Sequence, residues 1–203
     1  MNDLAAAVAS DLGAAAADVL LARYDEGQRH YHTRTHLSEA FVALTRLGHA
    51  GDEDARLALW FHDAVYDPRR ADNEEQSARL AEAHLRSGSR EGRDARDPAL
   101  VERVTSLIRA TATHRAAADD PVGVALLDAD LWILASPPER FDEYCAQVRA
   151  EYGFVDAATY AQARSAILRD LIDRPSIYGT PEADAAWTPA ARANVERELA
   201  RLT

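Results

Sequence analysis

An all-α fold, a single bundle of about eight helices, is what this sequence predicts, and three observations carry the prediction. Ala, Leu, Arg and Glu dominate the composition, and these are strong helix formers. Apolar residues recur at helical spacing, and no alternating strand pattern flanked by turn residues occurs. Capping side chains stand directly before prolines at several points, as at helix starts.

From the N-terminus, residues 3–24 are amphipathic through Leu4, Val8, Leu12, Val19 and Leu20, and predict one helix over about 1–24. His36 to Leu47 predicts a second, through Leu37, Phe41, Leu44 and Leu47. A third runs from about Asp52 to Ala64 and carries Leu57, Trp60 and Phe61. Asp72 opens a helix over Asn73–Ser87, with Glu74 and Glu75 against its positive end. The stretch Ser87–Asp97 (SGSREGRDARD) is polar, charged and glycine-containing, and reads as a mobile surface loop. Asp97-Pro98, Ser136-Pro137 and Thr188-Pro189 each predict a helix start, and Arg174-Pro175 predicts a helix end. The apolar run Val122–Leu127 is the one candidate strand. It leads into Leu131, Ile133 and Leu134 at helical spacing, so it too reads as helix. The expectation is one domain over 1–203, its N-terminal helix and its C-terminal helices (about 138–203) packed around the middle of the chain.

Composition closes several function classes. All 23 basic residues are Arg, so P-loop and Schiff-base chemistry, which need a lysine amine, are excluded. Cys145 is the only cysteine, which excludes an internal disulfide and a cysteine-built zinc site and suits a reducing cytoplasm. A net charge of −11 argues against nucleic acid as a partner, although a local basic patch remains compatible with a small phosphorylated molecule. No apolar run is long enough to span a bilayer, and Met1-Asn2-Asp3 does not begin a secretory signal, so neither membrane nor export is expected.

Three elements carry chemistry. His32 and His36 are four apart and can address one site, His32 from the first turn of its helix. In Leu59-Trp60-Phe61-His62-Asp63-Ala64 an apolar helix ends in a histidine and an aspartate, which must be paired or ligating because an unpaired buried carboxylate costs several kcal/mol. Two further aspartates, Asp128 and Asp130, interrupt another apolar run, and at their spacing only one faces a shared site. Each element alone is more often structural: a lone histidine sits on a surface, and an aspartate caps a helix or pairs with arginine. Their joint occurrence in apolar contexts points to one site. By contrast, nothing around His84 resembles a ligand motif, and His49, beside Gly48 and Gly51, belongs to a turn.

The order H…HD…D, formed by His36, His62-Asp63 and Asp130, resembles the signature of the HD superfamily. The flanks Arg29–Leu37, Ala58–Asp67, Asp72–Ala78, Ala110–His114, Asp128–Leu134, Ile177–Thr180 and Ala191–Asn194 resemble a small bacterial family of predicted metal-dependent HD phosphohydrolases. That likeness runs from about residue 20 to the C-terminus. It implies a helical bundle of the HD-domain type with one or two divalent ions held by His36, His62, Asp63 and Asp130. Two histidines with two carboxylates suit Mn, Fe, Co, Ni or Mg better than a closed zinc site. The implied reaction is hydrolysis of a small phosphorylated metabolite or nucleotide, with metal-activated hydroxide attacking phosphorus.

Locally, Tyr31-His32-Thr33-Arg34-Thr35-His36 also resembles the Y-H-N-x-x-H pattern of cyclic-nucleotide phosphodiesterases, in which the first histidine donates a proton and the second binds metal. That would make His32 the acid; Thr33 departs from the pattern's asparagine. Asp63 would also orient the attacking water, with Glu74 a candidate supporting acid or base. Arg29 and Arg34 are candidate phosphate clamps, and His114 a candidate contact to phosphate or a second metal. Two alternatives stay open: a di-iron oxygenase, needing extra histidine ligands from His114 or His84, and a non-catalytic nucleotide-binding regulator. A homo-oligomer is compatible with the sequence.

Overall fold

The computed structural model describes residues 2–87, 95–117 and 119–203 of the chain. It is all-α, a single domain of ten α-helices and one 3-10 segment, with no strand among the described residues. Two short helices, α1 (Asn2–Leu12) and α2 (Ala14–Arg23), replace the single N-terminal helix expected. Gly13 separates them: its φ of 88° lies in the left-handed region that glycine enters without penalty.

Helix α3 (Arg34–Arg46) is capped by Thr33, whose hydroxyl accepts from the Thr35 N–H, and ends at Gly48 with φ 84°. Helix α4 (Glu53–Phe61) buries every residue from Leu57 to Phe61, and α5 (Asn73–Ser87) starts after Asp72 as expected. The middle of the expected surface loop, residues 88–94, lies outside the described residues. Its last turn is held down by Arg96, which donates to Asp11 O and pairs with Glu53. Asp97 caps α6 (Pro98–Thr111), accepting from the Ala99 N–H. The run Val122–Leu127 is helical, within α7 (Pro121–Asp130), which Asp120 caps through the Gly123 N–H. A 3-10 segment, Leu131–Ala135, follows directly.

Two expected starts shift. Helix α8 (Pro138–Glu151) begins one residue later than Ser136-Pro137 implies, and Ser136 Oγ is buried without a hydrogen-bond partner among the described residues. Thr188-Pro189 opens nothing: Pro189 lies inside α10 (Pro181–Arg201), whose cap is Thr180, accepting from the Ala183 N–H. Thr188 instead spends its hydroxyl on Asp184, one turn back. Helix α9 (Ala157–Ile172) ends just before Arg174-Pro175.

The apolar interior has two parts. One gathers residues of α1 to α7, including Leu21, Leu37, Leu44, Leu57, Trp60 and Ile108. The other joins Tyr31 and the 3-10 segment to α8, α9 and α10, through Phe141, Leu168, Tyr178 and Val195. Helix α7 packs against α3, α4 and α6, so its C-terminal end arrives beside the starts of α3 and of the turn after α4. No helix among the described residues is long and apolar enough to cross a membrane.

Candidate metal centre

Helix ends bring the chemistry together. His36 stands in the first turn of α3 and is buried, with Nδ1 2.9 Å from Tyr31 Oη. His62 follows the last residue of α4, where terminal carbonyls lack helical donors, and its Nδ1–H donates to Leu59 O at 2.8 Å. Both rings are thereby oriented by one nitrogen and present the other, Nε2, to the same point, as metal-binding histidines do. The two Nε2 atoms are 3.1 Å apart. Asp63 Oδ2 lies 3.0 Å from His62 Nε2 and 3.4 Å from His36 Nε2. Asp130 Oδ1, on the last residue of α7, lies 3.2 Å from His36 Nε2 and 3.3 Å from His62 Nε2. His36, His62 and Asp130 each offer a donor atom within 4.8 Å of the others; Asp63 joins from the side of the two histidines.

This cluster calls for positive charge at its centre. Burial pushes the His36 imidazole down, but hydrogen bonds to Asp130 and Asp63 outweigh it and hold the group up at about 9. For His62, burial is likewise overcome by the charges of Asp63 and Asp130. Burial opposes ionisation of Asp63 and Asp130, yet the His62 imidazole beside them holds both well below the usual carboxylate range. A divalent ion answers the same demand. Bonds of about 2.1 Å place neighbouring donors about 3.0 Å apart on an octahedron and about 3.4 Å apart on a tetrahedron, matching the spacings here. The His36, His62 and Asp130 donors therefore fit a divalent cation, with Asp63 set against the two histidines.

Around these four residues stands a supporting layer. Asp130 Oδ2 meets His114 Nε2 at 3.0 Å, so His114 reaches the centre through Asp130. His114 has φ 49°, a conformation that costs a non-glycine residue about 1–2 kcal/mol. His32 is adjacent: its ring lies 5.9 Å from that of His36 and stacks on Tyr66 at 4.0 Å. Its Nδ1 donates to Glu151 Oε2 at 2.7 Å, leaving Nε2 as its second functional atom.

Glu151 is the functional residue that sequence reasoning missed. Its Oε1 accepts from the backbone N–H groups of His30, Tyr31 and His32, and its Oε2 also accepts from Tyr66 Oη. Burial alone would raise this carboxyl, but the His32 imidazole and these N–H groups hold it down at about 2. It sits in the last turn of α8, where the helix dipole disfavours an acid. That misplaced charge is the signal available in the sequence.

The remaining candidates fall elsewhere. Arg29 has a side chain 0% exposed, and its guanidinium donates to His32 O, Asp63 O, Ala64 O and Glu26. Three of these bonds join the His32 turn to the His62-Asp63 turn. Arg34, two residues before His36 on α3, is an exposed ion-pair partner of Asp25 and is not brought to the centre. Glu74, in the first turn of α5, bonds none of the four donors, although its charge is felt at Tyr152. Glu75 is held by Arg79 and Arg109 at the surface. His84 packs 5.6 Å from Phe61, and His49 pairs with Asp52 in its turn. Asp128 turns away to Gly179 and Thr180.

Fold and site together define an all-α protein in which two buried histidines and two half-buried aspartates meet, and among them His36, His62 and Asp130 could hold a metal ion. No protein-family model, no curated protein and no solved structure matches the chain.

Proposed function

We propose that this chain is a metal-dependent phosphohydrolase of the HD type, acting on a small phosphorylated metabolite or nucleotide. The observation that carries the reading is the convergence of His36 Nε2, His62 Nε2, Asp63 Oδ2 and Asp130 Oδ1, with both imidazoles already oriented through their other nitrogens. When bound there, a divalent ion supplies Lewis acidity toward a phosphoryl oxygen and acidifies water.

The chain's own residues supply the rest. His32 donates a proton from Nε2 to the departing oxygen, and Glu151 keeps the opposite ring nitrogen protonated and the ring in place. Tyr66 closes the other side of that imidazole by stacking. Asp130 is held in register by His114, and Arg29 locks the His32 turn to the Asp63 turn. The oxygenase alternative needs more histidine donors, and the geometry favours it less, because His84 lies against Phe61 while His114 contacts Asp130.

A screen of nucleotides, sugar phosphates and phosphodiesters with protein reconstituted in Mn, Co, Ni or Mg tests the reading. Phosphate or phosphomonoester release is expected, abolished together with metal binding in Asp63→Ala. His32→Ala is expected to keep the metal and slow turnover by about 100-fold or more on substrates with poor leaving groups. No turnover across the panel, or full turnover by Asp63→Ala, would refute it.

A further inference from the structure

A cavity of about 410 Å³ lies beside Glu151, lined among others by Gln28, His30, Asp67, Arg69 and Phe154. None of the four metal-centre donors lines it, yet its volume falls within the roughly 300–1,000 Å³ of small-molecule sites. Its walls come from the turn before α3, the turn after His62-Asp63 and the end of α8, and they share Glu151 with the anchor of His32.

Three features of the lining select a ligand class. Phe154 is 47% exposed, Arg69 lies over it at 4.3 Å, and the Tyr152 ring stacks with it at 6.0 Å. A planar guanidinium on an aromatic face is a platform on which a flat ring stacks. Asp67 and Arg69 then present opposite charges on the same rim, and neither side chain takes an ion-pair partner among the described residues; the Asp67 carboxylate accepts only the Arg69 backbone N–H. With one charge of each sign facing it, the cavity selects no net charge and offers both an acceptor and a donor. Finally, the Gln28 amide nitrogen is fixed by Glu26 and Tyr66 O, which holds its carbonyl oxygen as a further acceptor. The Glu151 carboxylate does not enter this count, since its side chain is 0% exposed and its oxygens are taken by His32, Tyr66 and three backbone N–H groups.

We propose that this cavity is a binding site for a nucleobase, a flat neutral ring that stacks against Phe154 and Arg69 and presents donors and acceptors to Asp67, Arg69 and Gln28. The inference stands apart from the phosphohydrolase reading, because it needs neither the metal nor turnover.

Isothermal titration of the full chain in EDTA tests it, with adenosine, guanosine, cytidine and uridine as probes and benzoate and phenylalanine as an anionic and a zwitterionic comparison. Saturable binding of at least one nucleoside is expected, weakened roughly tenfold in Phe154→Ala and in Arg69→Ala. Both side chains are exposed, so both variants are expected to fold; their far-ultraviolet dichroism and melting are checked alongside. The proposal is overturned by the absence of saturable nucleoside binding, by affinity unchanged in both variants, or by tighter binding of benzoate or phenylalanine than of every nucleoside.

Discussion

Asp128 and Asp130 stand two residues apart on the same helix and do opposite work. Asp128 faces Gly179 and Thr180, and its oxygens accept from two backbone N–H groups and the Thr180 hydroxyl. The fit is close, because a Cβ at Gly179 would come within 2.5 Å of Val124 Cγ1. Asp130 faces two imidazoles and a third, His114. Burial leads in raising Asp128, whose neutral donors only partly compensate, whereas the His62 charge holds Asp130 well down despite burial. Two carboxylates on one helix thus differ in what surrounds them: neutral donors make a structural anchor, and titratable nitrogens make the group proposed to hold a cation.

The largest expected effect separates the two acids directly. Asp130→Ala should weaken divalent-metal binding by more than about 100-fold, beyond what loss of an outer partner costs, while Asp128→Ala should leave it nearly unchanged. Stability should show the reverse order. Asp128→Ala strands buried donors and should cost about 2–4 kcal/mol in denaturant unfolding. An Asp128→Ala protein that loses its metal instead would break the distinction.

Glu151 extends the comparison to a third acid. Its carboxyl is depressed from 4.5 to about 2, so its contribution is present above pH 4.5 and lost as pH falls toward 2. The shift corresponds to about 3 kcal/mol at neutral pH. The stability gap between wild type and Glu151→Gln, measured by urea unfolding, should therefore narrow on going from pH 6 to pH 3. A gap independent of pH would remove the His32–Glu151 interaction from the account.

Smaller effects sharpen the supporting layer. His114→Gly should relieve the strained backbone by about 1 kcal/mol while weakening metal binding about tenfold through Asp130. Arg34→Ala should change stability by less than about 1 kcal/mol and metal affinity not at all, since its ion pair with Asp25 is exposed.

How much of this could be read from the chain follows from where polar groups interrupt apolar periodicity. His62-Asp63 and Asp130 each end an apolar helix, which made them visible, and His36 stands at helical spacing from His32. Which of Asp128 and Asp130 faced the site was not decidable from spacing, since that depends on how α7 rotates against Gly179. Glu151 was hidden because its partners lie far earlier in the chain, His30 to His32 by 119–121 residues and Tyr66 by 85, and only packing joins them. Arg29 was ambiguous because an arginine beside a site can clamp a ligand or tie backbone carbonyls, and only packing shows the carbonyls that it meets. The start expected at Thr188-Pro189 failed because the helix begins earlier, at Thr180, whose hydroxyl accepts from the Ala183 N–H and donates to Asp128, and Pro189 falls inside the helix so begun. Gly13 was a visible break that the apolar pattern across it obscured.

Calorimetric titration of metal-stripped protein with Mn and Ni, in wild type and His62→Ala, tests the central claim most directly. The account predicts saturable binding of one or two ions by wild type and its loss in a His62→Ala protein that still shows native helicity. Absence of binding in wild type, or equal binding by His62→Ala, would contradict it.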